Sequence, residues 1–295
     1  MKKILALVLA LALVMSLSLT ALADGEIVNV MYGGGTPESM DPALNSASTG
    51  SNLIRLAFSG LMGNRVVDGV ATKEPELAES YTISPDGLVY TFTLREGLKW
   101  SDGSDFFASD VVKSWNRAAD VNLGADYGFL FDVIDGYGTE SLNVVADDAA
   151  RTLVVTLKAP CAYFLELCGF TTFCPVKVDV ADAEGAWATK PETFIGTGPF
   201  KMVSYKVDDV IEYVKNENYW NAENVSMNEI KFYLSDDDNN MLTNWKADTW
   251  MVIDSMPTNE IPAIKAEFGP TGEYIVGSQI GTYYACWNIN EPLLP

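Results

Sequence analysis

The chain has 295 residues, with 19 Lys+Arg against 40 Asp+Glu, a formal net charge of −21 and no histidine. So acidic a surface repels nucleic acid and anionic membranes. Without histidine there is no Ser-His-Asp or Cys-His nucleophile, no HExxH zinc site and no imidazole proton shuttle, which leaves paired-carboxylate glycoside hydrolysis as the main surviving enzyme class.

Lys2 and Lys3 precede an apolar run from Ile4 to Leu19, and Ala21-Leu22-Ala23 stands before Asp24. That is the layout of a secretory leader over residues 1–23, cleaved after Ala23. The run falls short of the roughly 20 residues that span a bilayer, and no later stretch approaches that length. Asp24 and not a cysteine stands directly after the cleavage point, so the mature protein that the leader sends out of the cytoplasm, extracytoplasmic in location, is expected without a lipid anchor or membrane span. The 13 Tyr, 13 Phe and 7 Trp argue for a packed core, in more than one domain.

Val28, Val30 and Tyr32 alternate as a first strand, followed by a turn-rich stretch from Gly33 to Pro42. Leu53 to Leu61 reads as a short helix. A hairpin follows, with Tyr81 to Ile83 joined through Ser84-Pro85-Asp86-Gly87 to a strand carrying Tyr90, Phe92 and Leu94 on one face. After the Lys99-Trp100-Ser101-Asp102-Gly103 corner, Ser109 or Asp110 caps a helix with Val111, Val112, Trp115 and Ala118 or Ala119 at helical spacing. A second hairpin pairs Leu142 to Ala146 with Thr152 to Leu157, and Pro160 suits the first turn of a short helix through Leu167.

Beyond Gly196 the strands lengthen: Phe200 to Tyr205, Val210 to Lys215 and Ile230 to Leu234. A helix over Asp237 to Trp245, a strand at Trp250 to Ile253, a helix from Asn259 to Phe268 and a strand from Thr282 to Asn288 complete the pattern. The expectation is an α/β domain with a mixed sheet, built from residues 24–61 plus 186–288, into which residues 62–185 are inserted as an α+β subdomain. Residues 289–295 follow a strand with no closing element and read as a crossover to a part not included.

Several motifs invite chemistry and do not carry it. Tyr32-Gly33-Gly34-Gly35-Thr36 lacks the Lys-Ser/Thr of a P-loop and the GxGxxG spacing, and reads as a turn where backbone passes close to another element. Ile195-Gly196-Thr197-Gly198-Pro199-Phe200 reads as a tight approach into a strand. Asp236-Asp237-Asp238-Asn239-Asn240 has neither the glycine nor the final glutamate of a calcium loop, and reads as helix N-terminal charge. Tyr219-Trp220 could stack a sugar or belong to the core. Cys161, Cys168, Cys174 and Cys286 read as small buried residues, with Cys168 and Cys174 the best-placed pair if any bridge forms.

Together, "LAESYTISPDGLVYTFTLREGLKWSDG", "ASDVVKSWNR", "IGTGPF", "NENYW" and "GTYYACWNIN" resemble the extracytoplasmic solute-binding proteins of oligopeptide and dipeptide ABC importers, in the order that family shows them. The resemblance covers nearly all of the expected mature chain. It implies a periplasmic-binding-protein-like first lobe, with the second lobe absent from this sequence, and a monomer that delivers peptides to ABC permease subunits without catalysis, cofactor or metal. It also implies that the Lys99 to Gly103 corner is scaffold. On the family's alignment Ser46-Ala47-Ser48 falls at the segment that pairs with the peptide, Tyr127 at a ligand-facing tyrosine, Asp254 and Ser255 at a cleft-facing stretch, and Tyr284 on the inner face. Lys246-Ala247-Asp248-Thr249-Trp250 replaces the family's usual Gly-Glu-Ile-Asp before that stretch. A first lobe alone is expected to bind peptide weakly. Glycoside hydrolysis and a cell-envelope interaction module are the rival readings.

Overall fold

The alternation at the start becomes β1 (Glu26–Tyr32), and a run of polar turns leads from it to α1 (Ser48–Ala57). The computed structural model describes residues 26–67, 70–183, 185–277 and 285–286. By internal contacts the chain divides into two units, Met1–Ser255 and Met256–Pro295. In the first unit a hairpin of β2 (Met62–Val67) and β3 (Val70–Pro75) precedes β4 (Ala78–Ile83), β5 (Val89–Leu94) and α2 (Ala108–Ala119). Then come β6 (Val144–Asp147), β7 (Thr152–Thr156), α3 (Phe164–Leu167) and α4 (Val178–Ala183). The unit closes with β8 (Phe200–Lys206), β9 (Val210–Lys215), β10 (Met227–Leu234), α5 (Asp238–Lys246) and β11 (Val252–Ile253). The second unit contains α6 (Ile261–Phe268), with a proline in its first turn.

Two sheets organise the first unit. In the five-stranded sheet, ordered β11-β1-β10-β9-β8, β1 runs parallel to both β10 and β11, whereas β10, β9 and β8 are antiparallel neighbours. The other sheet is antiparallel throughout, in the order β4-β5-β7-β6. Period-two alternation decides its two faces: Tyr90, Phe92 and Leu94 are buried, as are Leu153 and Val155 opposite them, while Thr91, Thr93, Val154 and Thr156 stay partly exposed. Val111, Trp115 and Ala118 of α2 join that buried face in one core with Phe131, Phe164 and Phe173. A second core gathers Leu53, Ile54 and Ala57 of α1 with Phe200, Met202, Ile211, Tyr213 and Ile230 of the five-stranded sheet.

The cores are joined by polar contacts as well as by packing. Glu76, only 8% exposed, accepts from the hydroxyls of Tyr219 and Ser59, from Trp220 Nε1 at 3.1 Å and from Arg65 Nη2 at 3.2 Å. Tyr219-Trp220 is therefore structural, and Arg95 lies 3.6 Å over the Trp220 ring. The backbone of Gly196 to Gly198 passes so close to the end of α1 that a Cβ on Gly196 would stand 1.9 Å from Ala57 O, and Gly198 N donates to that same oxygen at 2.8 Å. At the Lys99 corner, Trp100 is buried edge-on against Phe106 at 5.0 Å, Gly103 turns at φ +87°, and Lys99 Nζ meets Asp105 at 2.9 Å. Burial pushes the Asp102 carboxyl up, but hydrogen bonds from Lys177 and Ser104 outweigh it and hold the group below its usual range.

Several local expectations shift. The first helix spans Ser48–Ala57 instead of Leu53 to Leu61, because Phe58 turns extended and the chain then runs against Thr197 and Cys168. At α2 the cap position is Phe107: Asp110 accepts from Phe107 N at 2.9 Å, and Ser109 bonds Asp148 through both its N–H and its hydroxyl. The helix expected from Pro160 is shorter and begins at Phe164. The β2-β3 hairpin has no counterpart in the sequence reading. Cys161, Cys168 and Cys174 are buried free thiols, while Cys286 is an exposed one. Residues 1–23, the strand expected at Thr282 to Asn288, Tyr284 and residues 289–295 lie wholly or largely outside the described residues.

Candidate functional site

Because β1, β10 and β11 are parallel, the loops at their carboxyl ends emerge on one side of the sheet. In open α/β sheets that edge is where ligands bind. Gly33, directly after β1, donates its N–H to Asp254 Oδ1 at 2.7 Å, directly after β11. A Cβ on Gly33 would stand 3.6 Å from Ser255 Cβ, and one on Gly34 3.1 Å from Thr49 Oγ1 of α1. The glycine turn is thus the close backbone approach its composition suggests, and it links Asp254 and Ser255 to the start of α1.

The chain enters α1 through Ser46 and Ala47. Ala47 is extended, at φ −100° and ψ 146°, and its carbonyl accepts from Ser51 N at 3.1 Å and from Asn45 Nδ2 at 2.9 Å. Ser48 is already helical, so the extended residue established ahead of the helix is Ala47, and Ser48 contributes the first N–H of the helix, a group with no intrahelical partner. Among the described residues, the N–H groups of Ser46 and Ala47 have no hydrogen-bond partner either. Ser46 is exposed and Ala47 half-buried. The segment entering α1 thus offers backbone donors at a partly exposed surface and is extended at Ala47.

Two further segments converge on it. Ser46 Oγ donates to Asp126 Oδ2 at 2.8 Å, which brings the neighbouring Tyr127 alongside. Tyr127 is half-buried, edge-on to Phe170 at 5.2 Å and 6.3 Å from Phe129, whose ring is 55% exposed. Next to Phe170, Thr171 shares a 2.8 Å hydrogen bond with Ser51 in the first turn of α1. Ser46, Ala47 and Tyr127 are thereby brought together, with Asp254 and Ser255 linked to them through the glycine turn; Tyr284 lies outside the described residues. Asp126, Phe129, Phe170 and Thr171 escaped the sequence reading, since each is defined by contacts between distant segments.

The chemistry available is that of recognition. Asp126 and Asp254, the carboxylates of this edge, are engaged by Ser46 Oγ and Gly33 N. Backbone donors beside an aromatic surface suit an extended amide ligand. Among the described residues no group of three or more Cys, Asp or Glu is arranged to hold a metal ion, and no helix is long and apolar enough to cross a membrane.

A family model described as "Bacterial extracellular solute-binding proteins, family 5 Middle" matches residues 72–294. The chain is 33% identical over 256 residues to the oligopeptide-binding protein OppA of Bacillus subtilis, covering 82% of this chain and 46% of the relative. It is 30% identical over 288 residues to the dipeptide-binding protein DppE of the same organism, covering 92% of this chain and 50% of the relative. The crystal structure of a periplasmic oligopeptide-binding protein from Borrelia burgdorferi superimposes with a TM-score of 0.75 at 30% identity, over 81% of this chain and 49% of that one. The chain spans about half the length of the curated relatives it matches. With its family motifs in order and the family's fold in place, the chain belongs to the bacterial extracellular solute-binding proteins of family 5.

Proposed function

We propose that this chain forms the first lobe of an extracytoplasmic clamp that captures peptides for an ABC importer. The peptide main chain adds as a strand along Ser46-Ala47 and the first N–H of α1, Tyr127 lines the pocket beside it, and Asp254 and Ser255 border the opposite side. Tyr284, assigned by the family resemblance alone, is a further candidate ligand contact. Residues 62–185 serve as an inserted scaffold, the leader 1–23 directs export, and permease subunits are the partners of the loaded monomer.

The observation that carries this reading is the unpaired Ser46-Ala47 backbone, extended at Ala47, held next to Tyr127 at the carboxyl edge of the parallel strands. The oligopeptide- and dipeptide-binding relatives from Bacillus subtilis support peptides as the ligand class. Calorimetric titration with mixed di- to pentapeptides tests it, on this chain alone and on a chimera carrying the second half of the Bacillus subtilis oligopeptide-binding relative. Micromolar binding by the chimera, reduced at least about tenfold by Ala47→Pro, which deletes one donor, is expected. A chimera that folds and binds no peptide overturns the proposal.

A further inference from the structure

A buried charge pair stands behind the recognition segment. Asp41 is 3% exposed, and the Arg117 side chain, reaching from α2, is 9% exposed. Their contact is two-pronged, Nη2 to Oδ2 at 2.8 Å and Nη1 to Oδ1 at 3.3 Å. Trp187 Nε1 adds a third donor to Oδ2 at 3.2 Å, and Arg117 Nε holds Asp182 Oδ1 at 3.0 Å. Burial works against the Arg117 charge, but the bonds to Asp41 and Asp182 outweigh it and raise the guanidinium's pKa.

A buried ion pair is a poor source of net stability, because desolvation consumes much of the attraction; its attested use is to fix one arrangement against others. Here the arrangement it fixes can be followed atom by atom. Asp41 Oδ1 accepts from Ala43 N at 2.9 Å, and Asp41 O accepts from Leu44 N at 3.1 Å and Asn45 N at 2.9 Å. Asn45, itself 4% exposed, passes the constraint on, donating from Nδ2 to Ala47 O at 2.9 Å and to Ser51 Oγ at 3.2 Å. Gly50 leaves room for that amide: a Cβ there would lie 2.0 Å from Asn45 Oδ1. Every link between Arg117 and Ala47 is therefore a hydrogen bond, although Arg117 belongs to the helix that packs on the other sheet.

We infer that Arg117 is a positioning residue for peptide capture: through Asp41 and Asn45 it presets the segment Ser46-Ala47, extended at Ala47, for pairing with a strand. The inference rests on the peptide-binding reading above for its functional meaning, whereas the presetting itself does not. Preorganisation of this kind lowers the ordering cost of binding.

The test compares Arg117→Met, Arg117→Lys and Asp41→Asn with the parent, in the chain and in the chimera, by amide hydrogen exchange and peptide titration. The expected result for Arg117→Met is a tenfold or greater rise in exchange at Leu44 and Asn45, whose amides this network protects, with Tyr90 and Val155 in the other sheet unchanged. Peptide affinity should fall by at least tenfold alongside, and Arg117→Lys, which keeps the charge, should recover part of both. Should Arg117→Met fail to fold, Asp41→Asn, which keeps the side chain's size, carries the comparison. Equal acceleration at all four amides would mean a stability role only and would overturn the inference, as would unchanged exchange at Leu44 and Asn45. Faster local exchange in Arg117→Met, together with a parent chimera that folds and binds no peptide, would uphold the presetting and sink the peptide reading.

Discussion

Ser46 Oγ donates to Asp126 Oδ2 at 2.8 Å across 80 positions of sequence. That single bond ties the extended segment ahead of α1 to the residue preceding Tyr127. It puts backbone donors and an aromatic ring on the same edge, while the charges of the Lys99 corner are satisfied within the scaffold.

Tyr127→Ala is therefore expected to weaken peptide binding by the chimera far more than Lys99→Ala. Loss of one well-packed contact is worth about 1 to 3 kcal/mol, or roughly 5- to 150-fold in affinity. The half-exposed Lys99–Asp105 pair should change affinity less than about twofold, since surface pairs contribute little. Equal losses in calorimetry would place the ligand elsewhere.

Glu76→Leu should destabilise the fold by about 3 kcal/mol, because the donors of Tyr219, Trp220 and Ser59 would lose their common acceptor inside the protein. Glu76→Gln keeps an acceptor oxygen and should cost less. Urea unfolding of both variants measures this, and a loss below about 1 kcal/mol for Glu76→Leu contradicts the assigned role.

Stability should fall at alkaline pH. Burial, with a smaller contribution from Tyr205, raises the Tyr213 hydroxyl above its ordinary value of 10.0, and that hydroxyl donates to Leu53 O at 3.2 Å. A raised folded-state pKa means that the stabilisation is fully present below about pH 10 and is lost as pH rises beyond it, because the unfolded chain ionises first. Tyr219, raised by burial and then by Glu76, acts in the same direction. Thermal melts between pH 8 and 11 should show the decline, and Tyr213→Phe should make it shallower; an unchanged slope in that variant would refute the contribution.

In the native chain a thiol reagent should modify Cys286 rapidly and leave Cys161, Cys168 and Cys174 unreacted. Burial pushes the Cys174 thiol up to about 12 and raises Cys168 well above its usual value, so neither supplies thiolate at neutral pH. A colorimetric thiol titration should count one group before denaturation and four after it. Rapid reaction of a second native thiol would contradict the burial.

What could be read beforehand was whatever repeats locally. The alternation of Tyr90, Phe92 and Leu94 and the spacing of Val111 and Trp115 become a buried sheet face and a buried helix face, and Asp237 caps α5 by accepting from Asn239 N and Asn240 N. The motif order also announced the family. Contacts between remote segments left no local trace. Nothing in the neighbourhood of Asp126 indicates Ser46, and nothing around Arg117 indicates that its partner is Asp41, so the assembly of the edge emerged only from tertiary structure. Ser109 shows the opposite failure: its composition suits a helix cap, but Asp148 offers both its N–H and its hydroxyl a better-placed acceptor.

The strand order imposes a timetable on folding. β4 to β7 pair with one another inside residues 78–156, whereas β1 pairs with β10 and β11, which are synthesised after that whole sheet and demand a much longer loop closure. During emergence of the chain the first strand must remain unpaired, with an aliphatic, aggregation-prone edge, until residue 234 has followed it. Pulse-labelled amides of β5 and β7 should accordingly gain protection before those of β1 and β10, and the recognition edge, which hangs from the ends of β1 and β11, is assembled last.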